Sequence, residues 1–249
     1  LFASPFFVVP LFFINIPHLD KTFWTTIIVL IPIELSAIVL YVKAIKASPL
    51  SLSLPFLSLT PVFLILTGWL ILGERVDLIG TCAIGLIVLG AYLLHIHMFR
   101  EGWLAPLGAI YREKGSRFMI MVAVLYSITS SLGKVAILHS SPLFFGMIYG
   151  PILAASFLPV TLSKSGLSLS KHPSHLLTFV GIGFFEAVKV FAHVIALSQA
   201  QVAYMIAVKR TSLLFGMAYG YLLFHETHFR QRLAGSLLML AGVAIVSLR

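Results

Sequence analysis

The chain has 249 residues, 59% hydrophobic and 10% charged, with a mean hydropathy of +1.04 and a formal net charge of +9. A soluble domain carries about 25% charged residues, so a water-soluble globular protein is excluded. So is nucleic acid as a partner, because the basic residues fall in short loops between apolar runs, the ordinary pattern of membrane proteins. The single cysteine, Cys82, rules out an internal disulfide and a thiolate metal cluster.

Nine apolar runs follow one another, each near the roughly 20 residues that cross a bilayer as a helix. They cover Leu1–Ile16, Phe23–Val42, Pro49–Leu72, Asp77–Ile96, Phe118–Leu138, Leu143–Leu162, Leu176–Leu197, Val202–Phe224 and Arg232–Leu248. Glycine and proline inside them are tolerated in membrane helices. The expected fold class is therefore an all-α polytopic membrane protein. The first run has no Met and no basic segment before it, so it reads as the truncated beginning of the chain and not as a signal peptide.

The halves repeat. An offset of 152 sets Glu34 on Glu186, Ala44 on Ala196, Glu74 on Glu226 and Gly90 on Gly242, without a gap. Projected back by that offset, the first span of the second half falls before Leu1. The intact architecture reads as ten spans, nine of them here, in two five-helix repeats. The first repeat covers 1–97, a loop covers 98–117, and the second repeat covers 118–249. Five is odd, so the repeats face opposite ways across the membrane, an arrangement typical of secondary transporters with a site near the midplane.

The string "TPVF…GWLILGE" from Thr60 to Glu74, with Gly85 and Gly90 after it, resembles the closing half of an EamA repeat, from the drug/metabolite transporter superfamily. "KRTSLLFGMAYGYLLFHE" (Lys209–Glu226), with Gly235 and Gly242, is similar, as is "YSITSSLGKVAILHSSPLFF" (Tyr126–Phe145). The second half departs from the pattern at Leu213 and His225. The resemblance implies two EamA repeats and movement of small metabolites or drug-like solutes. No catalytic activity, cofactor or metal is expected.

Ten of the seventeen basic residues lie in one alternating set of loops, including Arg100–Arg117 and Lys164–Lys171, and three lie at the other face. The larger set marks the cytoplasmic side, which puts the C-terminus outside. The remaining four, Lys134, Lys189, Lys209 and Arg210, lie within spans, as do Glu34 and Glu186. A charge at mid-bilayer costs about 3 kcal/mol on insertion scales, so such residues usually face a cavity.

The candidate solute-binding residues are Glu34, Tyr126, Ser130, Lys134, Glu186, Lys189, His193, Lys209 and Arg210. Glu186 and Lys189 are also spaced to neutralise each other. His193 also suits an interior hydrogen bond, Lys209 and Arg210 could snorkel to headgroups, and the serines beside Tyr126 could simply pack between helices. Glu34, with no amine on its own helix face, is the residue expected to take up a coupling proton, and Glu186 to bind solute.

"HETH" (His225–His228) lacks the spacing of a zinc site, and "HIH" (His95–His97) has no nearby carboxylate or thiol. "GMIYG" (Gly146–Gly150) and "GMAYG" (Gly216–Gly220) read as helix-packing surfaces. The leading function is a secondary transporter in a prokaryotic plasma (inner) membrane, working by alternating access between bilayer faces. The alternative is a membrane-embedded enzyme acting on a lipid-borne substrate, and a channel is a weaker third reading.

Overall fold

The structure, a computed structural model, describes residues 3–48, 54–93, 114–165, 176–212, 215 and 229–247. Nine α-helices and one 3-10 turn, with no strand, occur among these residues. The α-helices are α1 (Ser4–Leu11), α2 (Lys21–Ala47), α3 (Thr60–Leu72), α4 (Leu78–Leu93), α5 (Lys114–Leu138), α6 (Pro142–Ser165), α7 (Leu176–Gln199), α8 (Val202–Lys209) and α9 (Phe229–Ser247), with the 3-10 turn at Leu54–Leu59 just before α3. Each apolar run thus carries a helix. Lengths differ, however: among its described residues the first run yields eight helical residues, with Pro5 at the start of α1 and the chain leaving the helix soon after Pro10. Segments of α2, α5, α6 and α7 are long and apolar enough to cross a membrane. Loops 98–113 and 166–175, "HIH", "HETH", "GMAYG" and Glu226 lie outside the described residues.

Helix starts follow local capping chemistry. Asp20, Asp77 and Ser141 each precede a helix and accept the N–H three residues on, from Phe23 (2.8 Å), Gly80 (3.0 Å) and Phe144 (3.2 Å). These side chains satisfy donors that the first helical turn leaves orphaned. Helix α3 ends at Gly73, whose φ of 70° suits glycine, with its N–H donating to Trp69 O and the next N–H, from Glu74, donating to Gly68 O.

The chain forms two compact units that cut across its sequence halves. Unit 1 holds residues 1–31 and 133–199, and unit 2 holds 32–132 and 200–249. The chain passes from one to the other inside α2 at Pro32, inside α5 at Gly133, and between α7 and α8.

Unit 1 packs α1, α6 and α7 together. Aromatic rings meet at Phe6–Phe184, Phe7–Phe191 and Phe23–Phe144. The small residues of "GMIYG" face these contacts: Gly146 lies against Val194 and Phe191, and Gly150 against Phe7. They allow close helix approach, which drives association where lipid competes for apolar surface.

In unit 2, α4 packs on α9, and α8 on both α3 and α4. A Cβ on Gly90 would meet Met239 and the Gly235 carbonyl, and one on Gly242 would meet Ile87 and the Ala83 carbonyl. These helices are therefore antiparallel. The 152 offset carries the contact Gly90–Met239 onto Gly242–Ile87, so the α4–α9 crossing is locally two-fold symmetric. The same offset places the end of α2, Ala47, on the end of α7, Gln199.

Candidate functional site

Helix α2 presents one face to the interior of unit 2. Ala37, Ala44 and Ser48 are buried and Tyr41 half-buried, at spacings of three, four and seven residues. Ala44 packs with Phe56, Met119 and Val122, and Tyr41 and Tyr126 border that cluster. Glu34 is half-buried on the same stripe, two turns before Tyr41. The face that packs α2 against α5 therefore also carries a carboxylate inward.

Arg210 is the C-cap of α8. Its side chain turns into unit 2: Nη2 donates to Thr60 Oγ1 at 2.8 Å, and Thr60 Oγ1 in turn donates to Leu57 O at 2.7 Å. Arg210 Nε is buried and has no hydrogen-bond partner among the described residues. Tyr126 lies within electrostatic reach of Glu34, Tyr41 and Arg210. So α2, the start of α3, α5 and the end of α8 bring together one cation, one carboxylate and two phenols. Among the described residues, the acceptor that this guanidinium meets is a neutral hydroxyl, which does not cancel its charge.

Two acidic side chains of unit 2 hold α8 in place. Gln201 precedes α8 without a side-chain capping bond. The cap comes instead from Glu74, whose Oε2 accepts the Val202 N–H at 2.8 Å. Two residues on, the Tyr204 hydroxyl donates to Asp77 Oδ1 at 3.0 Å, its ring resting on Gly80. Along α5, Ser131 donates to Thr67 Oγ1 (3.3 Å), and Thr67 donates to the Ser127 carbonyl (3.2 Å). These bonds join α3 to α5, a packing role of the kind hydroxyls take between membrane helices. Ser130 is half-buried on α5, one turn beyond Tyr126, and Lys209 is exposed at the end of α8.

The other candidates belong to unit 1. Lys134 is buried on α5. On α7, Lys189 Nζ lies 2.6 Å from both carboxylate oxygens of Glu186, and both side chains are exposed. They border an open groove along α7 with Thr178, Gly181, Ile182 and Phe185. His193 is half-buried one turn further on. A second charged pair, outside the spans, joins His139 Nδ1 to Asp20 Oδ2 at 2.7 Å. The Phe23 N–H, and then His139, hold the Asp20 carboxyl below its ordinary value.

Sequence reading singled out Glu34, Tyr126 and Arg210, which the structure brings together. It missed Tyr41 and Thr60 beside them, and Glu74 and Asp77 as anchors of α8. Tyr41 had a legible signal, seven residues from Glu34 on one helix face. The contacts of Thr60 and Glu74 cross more than a hundred residues of sequence and left none.

The model of the EamA-like transporter family matches residues 1–96 and 113–248, nearly the whole chain. No curated protein gives a significant match.

Proposed function

We propose that this chain, which belongs to the EamA-like transporter family, is a secondary transporter of the plasma membrane that moves its solute by alternating access. Family membership and the long apolar helices make it a multi-pass membrane transporter of small solutes. The observation that carries the finer reading is the convergence of Arg210, Tyr126 and Glu34 in unit 2. Three helices contribute to it, and its polar groups are too costly in an apolar protein to serve packing alone. Two repeats, 1–97 and 118–249 joined by 98–117, supply the opposite orientations that alternating access uses. The two-fold crossing of α4 and α9 supports that division.

The movement bends helices where the chain passes between units. Pro32 deprives α2 of one backbone hydrogen bond, and Gly133 carries no side chain to resist bending of α5. A solute bound at Arg210 and Tyr126 is then exposed to one face at a time, and a gradient drives the cycle.

Purified protein in liposomes preloaded with candidate solutes tests this. Saturable uptake accelerated by solute on the opposite side is expected. Flux that rises linearly with concentration and shows no such acceleration would replace the reading with a pore, and no flux of any solute would end it.

A further inference from the structure

The transport reading uses the interior of unit 2, not the end at which α2 stops and α5 begins. We propose that this end binds the headgroup of an anionic phospholipid, a phosphodiester with no ammonium of its own, at the junction of the two helices.

Contacts define the junction. A Cβ on Gly115 would meet Ser48 Oγ and the Ala44 carbonyl, and Ala44 packs with Met119 and Val122. The last turn of α2 therefore lies against the first turn of α5. Segments of both helices are long and apolar enough to cross a membrane. Their paired ends thus reach the level at which lipid phosphates lie.

Positive charge gathers there. Lys43 and Lys46 fall in the last turns of α2, Lys114 and Arg117 in the first turn of α5, and all four are exposed. None of them makes an ion pair with a described residue. The described acids of unit 2 lie elsewhere. Glu34 is about 15 Å along α2 from Ala44, at 1.5 Å per residue. Glu74 and Asp77 follow the far end of α3, since Phe56, just before that helix, packs on Ala44.

The two lysines of α2 suit the negative pole of their helix. The two cations of α5 stand at a positive pole, and no acidic residue occupies that first turn. Its amides also lack acceptors within the helix. An anion at the junction meets all of these groups together.

A second, independent feature points to the same ligand. Ser48 is 8% exposed and Ser116 0%, and neither hydroxyl has a hydrogen-bond partner among the described residues. A buried hydroxyl left unpaired costs about 1–3 kcal/mol. Two of them, on the facing turns of α2 and α5, call for an acceptor at their junction. The non-bridging oxygens of a phosphodiester supply acceptor and negative charge at once.

The surroundings favour a lipid over a free anion. Val39, Val42 and Met121 are exposed on the same two helices, on the membrane side of the cations, and offer acyl chains an apolar wall. A zwitterionic headgroup would bring its ammonium against four cations, so the site selects an anionic lipid.

The test uses the purified full chain in detergent, melted with dioleoyl phosphatidylglycerol, dioleoyl phosphatidylcholine or inorganic phosphate at equal concentration. Phosphatidylglycerol is expected to raise Tm by several degrees, the other two not, and the shift should shrink in high salt. Lys43→Gln, Lys46→Gln, Lys114→Gln and Arg117→Gln together abolish it. Ser48→Ala with Ser116→Ala weakens lipid affinity about fivefold, the loss of one hydrogen bond. Lys21→Gln with Arg75→Gln, at the opposite ends of α2 and α3, leaves the shift intact. Melting without lipid and elution volume establish that each variant is folded.

Equal stabilisation by phosphatidylcholine shows that any lipid serves and overturns the proposal. So does a shift that survives the four-residue variant, or one that the serine variant leaves unchanged. A shift produced equally by inorganic phosphate would make the junction a small-anion site and overturn the lipid assignment.

Discussion

The two units place charge inside apolar helices and deal with it in opposite ways. In unit 1, Glu186 and Lys189 are one turn apart on α7, and the amine touches both carboxylate oxygens of its neighbour. In unit 2, Arg210 rests on the Thr60 hydroxyl, and Glu34, which like Arg210 lies within electrostatic reach of Tyr126, comes from another helix. A pair made within one turn is neutral wherever its helix goes, and needs nothing from the rest of the protein. A cation served by a neutral hydroxyl keeps its attraction for an anion. The conspicuous cluster in the sequence is thus the self-sufficient one, and Arg210 at the end of α8 is a cation whose hydrogen-bond acceptor among the described residues is neutral.

The largest effect that separates the two regions is on transport. Arg210→Gln removes charge-assisted hydrogen bonds worth about 1.5–3 kcal/mol, so solute affinity in a liposome uptake assay should fall by about tenfold to a hundredfold. Glu186→Gln combined with Lys189→Gln should leave affinity within about twofold, since both charges leave together and the pair is exposed. Equal losses in both would erase the distinction between the units.

A smaller effect concerns the helix that carries Arg210. Glu74→Ala takes away the cap on Val202 N–H and should destabilise the protein by about 1–2 kcal/mol, seen as a lower Tm. Asp77→Asn, which keeps an oxygen able to accept from both Gly80 and Tyr204, should cost less. If Glu74→Ala melts like the wild type, α8 is held by its packing and not by its cap.

Within unit 1, a double-mutant cycle on Glu186 and Lys189 should return a coupling below about 1 kcal/mol, as exposed ion pairs do. A larger coupling would show that the pair is more deeply enclosed than its exposure indicates.

The smallest effect is at Asp20. Its carboxyl titrates below the ordinary value of 3.8, chiefly because it accepts the Phe23 N–H and then because of His139. A depressed folded-state value gives stability that is present above the unfolded value and lost as pH falls through the folded one. Melting temperature followed downward from pH 5 should therefore show a loss below 3.8 that Asp20→Asn removes.

Much of the fold was written locally. Each of the nine apolar runs carries a helix among the described residues, because a backbone in hydrocarbon must satisfy its own hydrogen bonds. The starts of α2, α4 and α6 were legible in Asp20, Asp77 and Ser141, because capping acts over three residues. The pairing of Glu186 with Lys189 was legible for the same reason. The 152 offset showed Gly90 and Gly242 to be related, although not that each would lie against the other's helix.

Tertiary structure alone decided the rest. It drew the compact units across the sequence halves, joining residues 1–31 to 133–199. It turned Arg210 inward to Thr60, where the sequence equally allowed snorkelling to a headgroup. It also gave α8 a cap from Glu74, which precedes that helix by more than a hundred residues. The physical reason is range: hydropathy, capping and one-turn ion pairs act between sequence neighbours and can be read along the chain. Which distant group meets a buried charge depends on how helices pack, and that is fixed only when the glycines, aromatics and hydroxyls of different helices find one another.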